Sequence, residues 1–309
     1  MRRRMQQSVV GQSRGDRVFG FINAFLLVVG LCVTLYPLLF VISASFSDPK
    51  AVGAGKMILL PVNPSLSGYQ YVFQYREIWI GYANTIFYTV AGTLLNLAVT
   101  LPAAYVLARR DMPDRGFFMT LFLITMYFSG GMIPSYLNMY NLGLINTRWS
   151  LLVCVLVSTY NLIVARTFFA TTVPWDLHEV AFLDGCSDFR TFVSIILPLS
   201  TPIVVVLTLY YGVGHWNSYF NAMIYLIDRR KFPLQVFLRE ILTLGQFQQE
   251  AIQEGSYSAE EMAAMVRQAD TANMIKYAVI VVSALPMMVL YPFLQRFFTK
   301  GVMIGAVKG

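Results

Sequence analysis

The chain has little charge and few side chains of the kinds that perform catalysis. Charged residues make up 13% of its 309 positions, about half of the roughly 25% that is typical of soluble globular domains. It has only two histidines and three cysteines, and no pair of them has the spacing of a metal site. This composition excludes an ordinary soluble domain and argues against acid–base, nucleophilic or metal-assisted catalysis.

The chain also lacks a loop that would hold the phosphates of a nucleotide. Such a loop ends in Gly-Lys followed by Ser or Thr, whereas the nearest string, at 53–57, reads Gly-Ala-Gly-Lys-Met. We therefore predict that this chain binds no cofactor and does not hydrolyse ATP by itself. Cys32 and Cys154 fall in apolar runs and Cys186 in a polar connector, so no disulfide is predicted.

Apolar residues are abundant, at 57% of the chain, and they form long runs. A helix needs about 20 such residues to cross the hydrocarbon core of a bilayer. Six runs qualify: 18–45, 80–108, 117–136, 150–169, 199–227 and 274–293. The sequence predicts an all-α polytopic membrane protein with six transmembrane helices in one domain, 18–298, between short cytoplasmic ends, 1–17 and 299–309.

The net charge of +7 predicts an orientation in the membrane rather than binding to nucleic acid. Basic residues cluster before the first run, between the second and third, and after the sixth: Arg2, Arg3, Arg4, Arg14, Arg17, Arg109, Arg110, Arg115, Arg296, Lys300 and Lys308. Because cytoplasmic loops carry such an excess, we expect both termini in the cytoplasm. The first run is longer than the apolar core of a signal peptide, about 7–15 residues, and is predicted to stay as an anchor.

Ionisable side chains are nearly absent from the six runs, with His215 as the main exception. Carriers driven by an ion gradient usually place acids or bases within the membrane. The energy for any transport is therefore expected to come from another chain.

Two segments between the runs have patterns of their own. Aromatic residues alternate over 69–75, which fits a short strand, a partner contact or a belt at the membrane interface, and we expect the belt. Glycines and a proline over 129–134 predict a break at the end of the third run. The polar residues that follow, Asn138, Asn141 and Asn146, are predicted to form a loop.

A polar insertion, 228–273, separates the fifth and sixth runs. Ser258 and Glu261 form a capping-box pattern, which predicts a helix over 259–269 outside the membrane. We expect the part at 245–270 to contact a partner protein.

The most informative segment is the connector at 171–198. It contains Glu179-Val180-Ala181, then Asp184-Gly185, then Ile195 and Leu197-Pro198. The spacing resembles the EAA loop of ATP-binding-cassette importer permeases, with Val180 in place of one alanine. In that family the loop forms a coupling helix in a groove of the ATPase. The resemblance implies a coupling role for seven residues: Glu179, Ala181, Asp184, Gly185, Arg190, Leu197 and Pro198.

Two small residues of this motif suggest how the loop meets its partner. Ala181 and Gly185 are four positions apart, so on one helix they would face the same side. We expect them to permit close approach to the ATPase.

A second resemblance lies in the fifth run, at Trp216-Asn217-Ser218-Tyr219. It is similar to the Trp-Asn-x-Phe/Tyr signature of carbohydrate-importer permeases. Aromatic faces stack on the C–H faces of sugars, and amides hydrogen-bond to hydroxyls. We predict a substrate pathway beside Trp216, Asn217, Tyr219 and Tyr211, with Tyr210 as a packing residue. For each residue taken singly, helix packing is an equally good interpretation.

The C-terminal tail ends in Val-Lys-Gly and resembles the tail of MalG-like permeases, which reaches into the ATPase dimer. The resemblance implies a second ATPase contact through Gly305, Lys308 and Gly309. The segment 245–270 is longer than in that relative, and its Gln/Glu-rich character looks closest to permeases of complex-oligosaccharide importers.

Together these features predict a type I ABC importer permease that forms half of a translocation pathway for an oligosaccharide. The resemblance implies three partners besides the sugar and the bilayer: a second homologous permease, an ATPase dimer that uses ATP and Mg, and an extracytoplasmic solute-binding protein. We expect the segment 245–270 to contact the binding protein or the second permease. One alternative is a permease for another solute, such as glycerol phosphate or a peptide. The other is a channel or scaffold that needs no ATPase.

Overall fold

The computed structural model describes residues 14–243, 264, 272–273, 275–290 and 292. All regular secondary structure in this part of the chain is helical. Apart from residue 264, the predicted helix at 259–269 lies outside the described residues, as do the tail residues Gly305, Lys308 and Gly309.

Two helices are long and apolar enough to cross a membrane alone. They are α1, Arg14–Ser45, and α4, Arg76–Ala108, with mean hydropathies of 2.7 and 1.7 in their most apolar windows. At 1.5 Å per residue each is about 50 Å long, more than the roughly 30 Å of a hydrocarbon core. They differ in burial: α1 exposes almost its whole length, whereas α4 runs through the centre of the molecule.

The segment between α1 and α4 folds into two short helices, α2, Pro49–Gly53, and α3, Ser67–Gln74. The alternating aromatics of 69–75 therefore begin in a helix, and a strand there was the wrong alternative. Tyr69 packs on Phe46, with ring centroids 5.1 Å apart, and its hydroxyl lies 2.7 Å from Ser45 Oγ. This pair ties α3 to the end of α1.

The third predicted span is two helices, α5, Arg115–Tyr127, and α6, Met132–Asn141, which meet at 114°. The predicted break is confirmed, because Gly131 has a φ of +87°, a region that favours glycine. Asn138 and Asn141 lie in α6 rather than in the predicted loop.

The fourth and fifth predicted spans are also interrupted. The fourth consists of α7, Trp149–Val153, and α8, Thr159–Thr172, and the fifth of α12, Thr201–Trp216, and α13, Phe220–Tyr225. The sequence predicted each as one continuous helix. Asn96 on α4 makes the first interruption possible, since its amide donates hydrogen bonds to the carbonyls of Val155 and Leu156 at 2.6 and 2.7 Å. Backbone groups at membrane depth require such internal partners.

Between α8 and α12 the chain forms three short helices and a π-helical turn. They are α9, Asp176–Leu183, α10, Asp188–Thr191, the π turn Phe192–Ile196, and α11, Leu197–Leu199. At Ser200 the chain bends by 83° into α12. We call the end of the molecule formed by 109–114 and 174–199 the coupling end.

The opposite end, here called the distal end, is formed by 46–79 and 226–243. It contains a 3₁₀ turn, Arg229–Lys231, and α14, residues 234–243. Asn84 of α4 donates its amide to the carbonyls of Arg230 and Phe232, at 2.8 and 3.0 Å. Arg229 bridges Glu77 and Glu240, at 2.9 Å from each.

The principal core lies where α4 packs against α8 and α12 near the coupling end. Its buried members are Leu101, Ala104, Tyr105, Leu107, Leu162, Ala165, Phe169, Phe192, Ile196, Ile203, Leu207 and Tyr211. Polar pairs cross the same interface: Thr100 Oγ1 lies 2.8 Å from the Tyr211 hydroxyl, and His215 Nε2 lies 2.7 Å from Asn96 Oδ1.

A helix α15, Ile275–Leu290, is apolar but shorter than α1 and α4. By length and composition the described residues hold two membrane-crossing helices, or up to four if each of the bent pairs, α5 with α6 and 188–199 with α12, is one span.

Candidate coupling surface and cavity

Helix α9, in the predicted coupling loop, is terminated by Gly185. Its C-cap is Asp184, and Gly185 has a φ of +72°. Gly185 donates its backbone N–H to the carbonyl of Phe182 at 3.0 Å, and Cys186 donates to that of Ala181 at 2.9 Å. These two bonds form a Schellman motif, which ends a helix at a residue in the left-handed conformation. Gly185 therefore has a backbone role.

The expected shared face of Ala181 and Gly185 was wrong. α9 ends at Leu183, so Gly185 lies beyond the helix and the four-residue rule does not apply to it. Ala181 is buried against its own chain, whereas a Cβ placed on Gly185 would meet no atom within 4 Å. Only Gly185 is placed where a partner can reach it.

The inner side of α9 is held by stacked rings. The imidazole of His178 lies between Trp175 and Tyr105, with centroid distances of 4.8 and 5.6 Å and interplanar angles of 18° and 12°. Burial lowers the pKa of His178, and the positive charge of Arg109 lowers it further. The neutral imidazole is thus the form that fits between the two rings.

Ionic contacts also join residues 174–199, here called the coupling segment, to the end of α4. Arg109, just past the end of α4, forms ion pairs with Asp111 and Asp188. The guanidinium holds the pKa of Asp111 below its usual value. Asp188 begins α10, so this arginine connects α4 to the second half of the coupling segment.

The outer side of α9 and α10 carries large exposed apolar residues beside charges. Phe182 is 80% exposed and Leu183 82% exposed, and Val180 and Phe189 are exposed as well. We call this the coupling surface: Glu179, Val180, Phe182, Leu183, Asp184, Phe189 and Arg190, all exposed. Exposed apolar patches rimmed by polar residues mark interaction sites.

Of the remaining predicted coupling residues, Leu197 is half-buried against the principal core and Pro198 is exposed in α11. Three residues of the coupling surface were not predicted from the sequence: Phe182, Leu183 and Phe189. The available signal was a set of large apolar side chains inside a connector that is otherwise polar.

A cavity of about 450 Å³ lies between the interruption at 154–158 and the one at 217–219. Neutral polar and aromatic residues form most of its wall: Val155, Ser158, Asn161, Tyr210, Tyr211, Gly214, His215, Asn217, Ser218, Tyr219, Phe220 and Asn221. Its size is within the range of about 300–1,000 Å³ found for small-molecule sites.

The predicted pathway residues are divided by the fold. Asn217 and Tyr219 lie at the cavity. Trp216 does not: it is 4% exposed, its indole donates to the carbonyl of Ser283 at 3.2 Å, and its ring meets Tyr82 edge-on. Tyr211 touches the cavity wall, but its ring is buried and its hydroxyl accepts the N–H of Ser158 at 3.2 Å. The prediction of Trp216 at the cavity edge was therefore wrong.

Tyr210 was predicted to pack and instead lines the cavity with 43% of its surface exposed. Successive residues of a helix point about 100° apart. Because Leu207 and Tyr211 face α4, Tyr210 is turned away from the core. Its ring lies 6.4 Å from that of Tyr160, at an interplanar angle of 40°.

Comparison with known proteins gives relatives over nearly the whole chain, although no protein-family model matches it. The polygalacturonan/rhamnogalacturonan transport system permease YtcP of Bacillus subtilis is 38% identical over 295 residues, covering 94% of this chain and 97% of YtcP. LplC of the same organism is 36% identical, covering 96% and 97%.

A solved structure is similar as well. It is a chain from the crystal structure of a bacterial ABC transporter involved in the import of the acidic polysaccharide alginate. The TM-score is 0.80 at 34% identity, over 93% of this chain and 98% of that chain. The chain belongs to the permeases of carbohydrate ABC transporters. This confirms the family that the sequence predicted, and the all-helical fold agrees with it.

Proposed function

We propose that this permease forms half of the translocation pathway of an ATP-driven oligosaccharide importer in a bacterial cell membrane. It spans the membrane six times with both termini in the cytoplasm. The coupling end then faces the cytoplasm, and the distal end faces outward.

The partners follow from this orientation. A second permease completes the pathway, and an ATPase dimer that uses ATP and Mg docks at the coupling end. An extracytoplasmic binding protein delivers the sugar at the distal end. The names of YtcP and of the alginate transporter support a carbohydrate as the substrate.

The coupling surface is the observation that carries the proposal. Its inner side is anchored to α4 by the His178 stack and by Arg109, so a force applied to α9 reaches the spans. Its outer side exposes Phe182 and Leu183. Such exposure of large apolar side chains to water is unfavourable for a helix that has no partner.

A matched pair of variants tests the docking role. Leu183→Ala removes an 82% exposed leucine from the coupling surface, and Leu60→Ala removes a 77% exposed leucine from the distal end. We expect Leu183→Ala to weaken co-purification of the ATPase about thirtyfold, the size of an interface hot spot of about 2 kcal/mol. ATP-dependent uptake into vesicles should fall with it.

Leu60→Ala should leave ATPase binding unchanged, and both variants should reach the membrane in normal amounts. If the two variants bind the ATPase equally well, α9 is not the docking element. If the purified permease never recruits an ATPase, the proposed energy source is wrong.

A further inference from the structure

One arginine at the distal end is held against the rim of the cavity. Arg239 on α14 has its guanidinium carbon 4.8 Å from the centre of the Tyr219 ring. One turn earlier on the same face, Gln235 Nε2 lies 3.5 Å from Asn217 Oδ1. Tyr219 and Asn217 both line the cavity, so these two contacts place α14 at its border. Arg239 itself lines a neighbouring cavity of about 720 Å³, together with Arg229, Glu77 and Glu240.

The three cations of the 3₁₀ turn at 229–231 are already engaged. Arg229 is shared by Glu77 and Glu240, and Arg230 pairs with Asp228 at 3.2 Å. Lys231 donates to the carbonyl of Asn146 at 2.6 Å. Arg239 is exposed, and within the described residues it has no carboxylate partner.

A guanidinium that leans on a ring is well suited to hold an anion. The ring restricts the side chain, while the N–H groups of the planar fork remain available at its edge. That fork matches the two oxygens of a carboxylate. The adjoining cavity supplies aromatic faces and amides, including Tyr210, Asn217 and Asn221, which suit the C–H faces and hydroxyls of a sugar ring.

We propose that Arg239 and Tyr219 form a recognition site for the carboxylate of an acidic sugar, a uronate residue within the oligosaccharide, at the border of this cavity. The site rests on the proposed function, because it lies on the pathway of the transported sugar. It makes this permease, and not only its partner, a determinant of substrate choice.

The test compares two trimers that differ in the group at C6. Trigalacturonate carries carboxylates, and the α-1,4-linked galactotriose carries hydroxymethyl groups. ATP-dependent uptake is measured with the complete importer in proteoliposomes, at substrate concentrations below saturation. Arg239→Gln removes the charge, and Arg239→Lys keeps the charge without the fork. Arg230→Gln is the matched control, because Arg230 is a cation of the same end that pairs with Asp228 and lines neither cavity.

Arg239→Gln should lower trigalacturonate uptake about tenfold, the loss of one charge-assisted contact, and leave galactotriose uptake unchanged. Trigalacturonate uptake by Arg239→Lys should lie between that of Arg239→Gln and that of the wild type. Arg230→Gln should behave as wild type with both trimers. If Arg239→Gln lowers the uptake of both trimers equally, Arg239 has a structural role and the inference is overturned. The inference is also overturned if the wild-type importer takes up galactotriose but not trigalacturonate. Uptake of neither trimer by the wild-type importer would also overturn the inference, whereas failure of the permease to recruit an ATPase would contradict the proposed function.

Discussion

His178 on the coupling helix and Tyr105 on α4 lie face to face, 5.6 Å apart and only 12° from parallel. Tyr105 in turn meets Phe192 of the π turn at 5.0 Å. One ring of α4 thus touches both halves of the coupling segment. We expect this contact to transmit movement of α9 to α4.

The His178 stack predicts a dependence on pH. The pKa of His178 is below its ordinary value of 6.5 in the folded chain, so the neutral form stabilises the fold. That stability is present above the unfolded pKa and is lost as the pH falls through the folded one. Burial lowers the pKa of His178 most, and the positive charge of Arg109 lowers it further. The negative charge of Asp111 raises it, but the net effect is a lowered pKa.

We expect the thermal stability of the purified importer to fall from about pH 7.5 to about pH 5.5. The fall should be smaller in His178→Phe, which keeps an aromatic ring between Trp175 and Tyr105 but does not titrate. Equal slopes in the two proteins would exclude His178 as the titrating group.

Gly185 predicts an unusual ranking of substitutions. Its left-handed backbone costs most other residues about 1–2 kcal/mol, and Asn the least. Since a Cβ at this position meets no atom, strain rather than a clash decides the outcome within the chain. ATPase binding and uptake should decrease in the order Gly, Asn, Ala, Val. If a close approach to the ATPase decided instead, Ala would be tolerated better than the larger Asn.

Gly92 lets α4 approach α12. A methyl group there would lie 2.4 Å from His215 Nε2, whereas one on Gly214 of α12 would meet no atom within 4 Å. We expect Gly92→Ala to destabilise the permease by about 1–3 kcal/mol, as overpacking usually does. Thermal unfolding in detergent measures this, with Gly214→Ala as the control that should remain close to wild type.

Tyr210 and Trp216 should give opposite phenotypes. Trp216→Ala empties a packed position, which costs about 3–5 kcal/mol in a core, so the protein should be depleted from the membrane. Tyr210→Ala removes a ring from the cavity wall and should raise the apparent transport constant several-fold at normal abundance. If Trp216→Ala reaches the membrane in normal amounts but transports less, Trp216 is a residue of the substrate pathway and not a packing residue.

The family and the all-helical fold were predictable from the sequence. Long apolar runs report membrane insertion directly, because each needs only its own length and composition. The coupling motif is equally local: Glu179 to Pro198 is one short stretch, and Gly185 ends a helix through bonds within five residues.

Only the tertiary structure decided which faces of the spans are buried and where they break. The run at 199–227 is apolar on all sides, so its sequence has no periodicity that distinguishes Tyr210 from Tyr211 or Trp216 from a cavity residue. The interruption at 154–158 contains neither glycine nor proline. It is stabilised by Asn96, about 60 positions earlier, and a contact between such distant residues leaves no local pattern in the sequence.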